Sequence, residues 1–205
     1  MTMDERLKET LLQVACFYDR RKVGDVGALG FRRSSDLALL VGCLERLLQE
    51  DLILPHQSHF LDLGCADGRV NILFSYLVRI SVGVELDPWT LEEYVPLKAA
   101  LEHELEAAGR IPPPENIHLF EGDSTDQTVY TQIAIDTGLA FEDFNLFYTY
   151  LIMHQEFAAM IVERAAKGAL FLVYGLDKIM PRYEGLQLRE DLSPLNGILG
   201  VYEKA

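Results

Sequence analysis

From residue 58 onward, strand-like and helix-like stretches alternate, and this alternation limits the folds open to the chain more than any other feature. Strands are predicted near 58–63, 79–85, 116–121, 144–150 and 168–174, with helices near 68–77, 88–109 and 154–166. A helix after each strand predicts a parallel sheet wrapped by helices, because parallel neighbours need a long crossover between them. Pro96 is expected to bend or split the second of these helices, and Pro112-Pro113-Pro114 to form a stiff link into the third strand. Residues 182–190 and 196–203 read as two further strands around Ser193-Pro194-Leu195-Asn196-Gly197. With no helix between them, they predict a terminal antiparallel hairpin.

Before residue 58 the pattern is helical. Leu7, Leu11, Val14, Ala15 and Tyr18 recur at three- and four-residue steps, predicting an amphipathic helix over 3–20. Gly24, Gly27 and Gly30 read as a flexible connector, after which Ser34, Ser35 and Asp36 are placed to cap a second helix carrying Leu37, Leu40, Val41, Leu44, Leu47 and Leu48. Residues 1–57 are thus expected to form a helical extension packed on a core of residues 58–205, within a single domain. A chain of 205 residues buries roughly 70% of its unfolded surface, enough for a core without metal or disulfide staples.

Composition narrows the function classes. The first nine residues lack the basic end and apolar centre of a signal peptide, and no apolar run approaches the roughly 20 residues of a membrane helix. Cys16, Cys43 and Cys65 are odd in number and without paired spacing, so neither a disulfide framework nor a cysteine zinc site is expected, and no metal is assigned. A reducing cytoplasm is the expected compartment. The formal charge of −14 repels polyphosphates, and Arg20-Arg21-Lys22 and Arg32-Arg33 are too short to form a basic strip, which disfavours nucleic acid as a partner.

In an open α/β sheet, ligands bind at the carboxyl ends of the strands. The first strand runs into Asp62-Leu63-Gly64-Cys65-Ala66-Asp67-Gly68, a tight glycine turn that leaves backbone amides bare for a nucleotide cofactor. The second ends at Glu85-Leu86-Asp87, the third at Glu121-Gly122-Asp123-Ser124, and the fourth at Phe147-Tyr148-Thr149-Tyr150. Glu85 stands 21 residues beyond Gly64, the length of one helix plus one strand. Its two acceptor oxygens match two adjacent hydroxyls, each charge-assisted bond contributing about 1.5–3 kcal/mol. Taken singly, the acids have local readings: Glu85 as a cap for the segment opening at Pro88, Asp123 as a cap before a helix-like turn at Asp126. Their joint placement favours a ligand.

This arrangement resembles the class I S-adenosylmethionine-dependent methyltransferases, over nearly the whole sheet from about residue 58 to the C-terminus. The resemblance implies an α/β, Rossmann-like three-layer sandwich with a mostly parallel seven-strand sheet, a C-terminal antiparallel hairpin and an N-terminal helical extension. It implies S-adenosyl-L-methionine as cofactor, with S-adenosyl-L-homocysteine as product. The turn with Asp62, Gly64, Cys65, Ala66, Asp67 and Gly68 is expected to hold the methionine end, Glu85 the ribose and Asp123 the adenine amine. Leu86, Ser124 and Tyr148 complete the expected contacts. Ala66 departs from the family pattern, where glycine is common; alanine is a mild change if that backbone is not left-handed. A dinucleotide oxidoreductase is the competitor, but G-x-G-x-x-G counted from Gly64 requires glycine at Ala66 and Arg69, and both fail.

The fourth strand end is where the family places its methyl acceptor. Tyr148 and Tyr150 alternate with Thr149, so their rings should share a face, and they are the candidate catalytic residues. The segment lacks the Asn/Asp-Pro-Pro-Tyr/Phe signature of base- and glutamine-methylating relatives. It is more similar to small seven-strand protein-lysine methyltransferases, so the expected acceptor is a protein lysine amine or a small molecule. His154 is read as a helix-start histidine rather than a general base, Phe31 and Arg32 as lid contacts. A cofactor-binding protein without catalysis is the alternative from another class.

Overall fold

The computed structural model describes residues 3–21, 23, 34–176 and 179–205. The expected connector glycines and the lid contacts Phe31 and Arg32 lie outside the described residues.

Helix α1 (Glu5–Asp19) opens on Asp4, whose side chain accepts from the Leu7 amide, and buries Leu11, Val14, Ala15 and Tyr18. Helix α2 (Leu37–Gln49) opens on Asp36 in the same way, through the Leu39 amide. Its first two free amides, of Leu37 and Ala38, donate to the Asp19 carboxylate at 3.0 and 3.1 Å. The end of α1 therefore closes the start of α2.

The chain continues through β1 (His59–Leu63), α3 (Arg69–Ser75), β2 (Ile80–Glu85), α4 (Pro88–Glu92), α5 (Tyr94–Ala107), β3 (Ile117–Glu121) and α6 (Gln127–Thr137). It then forms β4 (Leu146–Tyr150), α7 (His154–Arg164), β5 (Leu170–Tyr174), β6 (Leu186–Leu188) and β7 (Leu199–Lys204). Seven strands stand in the order β3-β2-β1-β4-β5-β7-β6. The first five in this order are parallel to one another, and β7 lies antiparallel between β5 and β6.

Alternate strand residues face opposite layers. Phe60, Tyr148, Leu172 and Val201 join α1, α2, α3 and α5 in one core, while Leu61, Phe147, Val173 and Tyr202 join α6 and α7 in the other. The result is the expected three-layer sandwich, with α1 and α2 built into its first layer.

The helix over 88–109 is split, as expected, into α4 and α5; the break falls at Glu93, and Pro96 sits in the first turn of α5, where proline is tolerated. Two expectations need correction. A full helix, α6, occupies a stretch read only as a helix-like turn at Asp126, because its apolar residues are few and, within it, Val129, Tyr130 and Ile133 alone are buried. The last two strands are shorter than expected, since only Leu186–Leu188 and Leu199–Lys204 find ladder partners.

Candidate functional site

Four neighbouring strand ends, of β3, β2, β1 and β4, carry the candidate residues. In the ladder, Asp62 stands beside Gly83 on β2 and Tyr148 on β4, and Glu85 stands beside Glu121 on β3. The turn after β1 stays attached to β2, because the Gly64 and Cys65 amides both donate to the Val84 carbonyl at 2.9 Å. Gly64 and Gly68 have φ of +95° and +75°, a region that disfavours side chains. A Cβ built on Gly64 would meet no atom within 4 Å, so the space above that backbone is open, whereas one on Gly68 would strike Leu119 and Tyr94. Ala66 has φ +51°, so its backbone is left-handed, and the condition under which alanine is a mild change is not met.

Glu85 is buried, and its carboxylate receives the Ala66 amide on Oε2 and the Asp87 amide on Oε1, each at 2.9 Å. The second strand's acid and the glycine turn thus form one structure. Asp123 is different: it is exposed, and its Oδ1 takes the Thr125 amide at 2.8 Å and the Thr125 hydroxyl at 2.7 Å. Those bonds hold its carboxyl below the usual range. The Gly122 amide donates to the Glu85 carbonyl, which sets Asp123 close along the chain to the Glu85 backbone, but its side chain makes a local turn before α6. Ser124 is buried and gives its carbonyl to the Tyr130 hydroxyl at 2.6 Å. Leu86 is 68% exposed at the rim.

Asp62 and Asp67 are buried completely or nearly so. Asp67 is paired with Arg69, whose Nε and Nη2 reach its two oxygens at 2.9 and 2.8 Å. Asp62 has no such partner: its Oδ1 lacks a hydrogen bond to any described residue. Burial, then the charges of Glu85 and Asp67, push its carboxyl well above the usual range. Burial, then the charges of Asp62, Glu85 and Asp67, raise the Cys65 thiol well above its usual range.

A cavity of about 40 Å3 adjoins this group, walled by Asp62, Gly64, Cys65, Ala66, Tyr148 and Tyr150 and roofed by Val23, Ser34 and Ser35. Tyr148 and Tyr150 share a face as expected, both packing toward the core that holds α1 and α2. Tyr148 is almost fully buried between Phe60, Phe74 and Tyr174, and its hydroxyl lies 2.5 Å from that of Ser35. Burial pushes its phenol well above the usual range, so it keeps its proton and offers no base. Tyr150 is half-buried against Tyr174. His154 begins α7, as expected, with Nδ1 2.6 Å from the Tyr183 hydroxyl, a partner that lies 29 residues away and left no sequence signal.

A larger hollow, of about 810 Å3, lies elsewhere, between β6 and the segment before it. None of the strand-end carboxylates borders it. Arg20, expected in a solvated turn, pairs with Glu104 at 3.1 Å, and Arg21 lies over the Phe17 ring.

Comparison with known proteins follows the topology. An RNA methyltransferase from Salinibacter ruber in complex with S-adenosyl-L-homocysteine superposes with a TM-score of 0.51 at 15% identity, over 84% of this chain and 93% of that one. The chain has the class I methyltransferase fold. A mutant of MtNAS in complex with S-adenosylmethionine matches with a TM-score of 0.55 at 12% identity, over 98% of this chain and 72% of that one. That match therefore takes in the N-terminal helices as well as the methyltransferase-fold sheet. Compared by sequence, the chain matches no protein-family model and no curated protein. No described helix is long and apolar enough to cross a membrane.

Proposed function

We propose that the protein is an S-adenosyl-L-methionine-dependent methyltransferase. The observation that carries this reading is the bond from the Ala66 amide to Glu85, which joins the glycine turn and the second strand's acid into one ligand platform. The residues present fit the cofactor in three further respects. Open space lies over Gly64, Asp62 presents an oxygen with no hydrogen bond to a described residue, and among the described residues the buried acids Asp62, Asp67 and Glu85 outnumber the buried cation Arg69, which is paired with Asp67. An excess of buried acid favours a cationic ligand over a phosphate.

The methionine group is placed at the mouth of the cavity, beside Asp62 and Gly64. The adenosyl part then lies along the open carboxyl edge, with Glu85 at the ribose, Leu86 against the base and Asp123 and Ser124 beyond. Bound there, the cofactor supplies an electrophilic methyl group on a sulfonium. The chain's own task is to orient, to exclude water and to align the acceptor. Tyr148 serves this as a buried wall, and Tyr150, nearer the surface, as an aromatic side for the incoming nucleophile. The acceptor that suits an acidic surface is a protein lysine amine or a small molecule; one structural neighbour is an RNA methyltransferase, and RNA belongs among the substrates tested.

Calorimetric titration with S-adenosylmethionine, S-adenosylhomocysteine and a nicotinamide dinucleotide tests the cofactor. Both adenosyl compounds are expected to bind and the dinucleotide not. Glu85→Ala is expected to weaken them about tenfold or more, as loss of charge-assisted bonds requires; unchanged affinity refutes its ribose role. Transfer of radiolabelled methyl to protein, RNA or small-molecule fractions of an extract separates an enzyme from a protein that only binds the cofactor.

A further inference from the structure

The Arg69 guanidinium, buried against Asp67, is the strongest feature to which the proposed function gives no role beyond its charge. Arg69 is the first residue of α3, is 2% exposed, and holds Asp67 with two donors. Its remaining nitrogen, Nη1, turns away from the turn toward the N-terminal extension. It lies 3.4 Å from the Tyr18 carbonyl, 3.5 Å from the Arg21 carbonyl and 3.4 Å from the Ser34 hydroxyl. The guanidinium also sits 5.3 Å from the centre of the Tyr18 ring. One side chain thus spans the glycine turn, the end of α1 and the approach to α2.

We infer that Arg69 is a positioning residue that sets the glycine turn by tying Asp67 to the N-terminal helices. The turn needs such a tie. Ala66 is in a left-handed conformation that an alanine resists, and Asp67 is buried where an unpaired carboxylate is costly. Arginine suits the post because its planar fork donates to a carboxylate from one edge and to carbonyls from another; lysine keeps the charge but has no second edge. The neighbours of Ser34 extend the same connection: Ser35 meets Tyr148, and the Asp36 amide donates to Tyr174 at 2.9 Å. The residues leading into α2 are therefore wired to the glycine turn and to β4, which both wall the cavity, and to the neighbouring β5.

The test uses the full chain with Arg69→Lys, and with the charge-neutral double variant Asp67→Asn with Arg69→Met as a second construction that leaves no lone buried charge. Hydrogen exchange needs no ligand. Amides of residues 64–68 are expected to exchange at least tenfold faster in both variants, with β1, β4 and β5 unchanged. Equal protection of the turn in the variants and the parent overturns the inference, and a global rise in exchange assigns the pair to bulk stability instead. A second readout rests on the cofactor reading: S-adenosylhomocysteine affinity, measured well below the melting temperature, is expected to fall about tenfold in Arg69→Lys. Unchanged affinity overturns the link to binding. If the parent itself binds no adenosyl compound, the cofactor reading fails while the exchange result still decides the role of Arg69.

Discussion

At Asp62, burial and like charge act together against ionisation. Its carboxyl is held well above the ordinary value of 3.8, so the folded chain binds that proton more tightly than the unfolded chain does. The sign follows by linkage: the contribution to stability is whole below pH 3.8 and is lost as the pH climbs toward the raised value. Asp62→Asn, neutral and of the same shape, removes that loss. Its stability relative to the parent is expected to improve as the pH rises above 3.8, read from urea midpoints; a difference independent of pH would show that Asp62 ionises normally. Ala66 supplies a second test. An L-residue in the left-handed region costs about 1–2 kcal/mol, against about 0.5–1 kcal/mol for glycine's extra unfolded freedom. Ala66→Gly is therefore expected to stabilise the protein by about 0.5–1 kcal/mol in chemical denaturation, where most alanine-to-glycine changes destabilise.

Among the elements, the strands and the first two helices were the most legible. Apolar spacing located α1 and α2 because one face of each is buried, and the run from Phe60 to Leu63 located β1 because interior strands are apolar on both faces. Helix α6 escaped because its buried face is short, and nothing in its spacing outweighed its polar residues. The contact between Asp19 and α2 was equally invisible, since it joins residues 18 positions apart in the chain. Asp19→Ala leaves the Leu37 and Ala38 amides without their carboxylate, and is expected to cost about 1 kcal/mol by a lowered urea midpoint at constant m-value. No change would mean that water replaces the carboxylate at no cost.

For the whole molecule, the question is whether residues 1–57 are an appendage or part of the core. Leu11, Val14, Leu40, Leu44 and Leu47 belong to the same buried cluster as Phe60, Phe74 and Tyr148. Removing them would uncover an apolar face far larger than soluble surfaces carry. A chain of residues 58–205 alone is expected to bind hydrophobic dye, lose near-ultraviolet dichroism and unfold without a sharp transition; a cooperative transition like that of the full chain would make the helices dispensable.

The chain's local patterns determined the alternation of strands and helices, the glycine turn after β1, and the acids that end β2 and β3, because strand ends and tight turns are written in contiguous residues. Only the tertiary structure decided which of those acids face inward. Glu85 closes on the Ala66 amide, while Asp123 turns outward to Thr125. It alone revealed that Tyr148 is held by Ser35 and Asp67 by Arg69, which in turn reaches Tyr18, Arg21 and Ser34. Burial and hydrogen bonding depend on residues far apart in the chain, and no spacing within one segment reports the charge or direction of a side chain brought in from another.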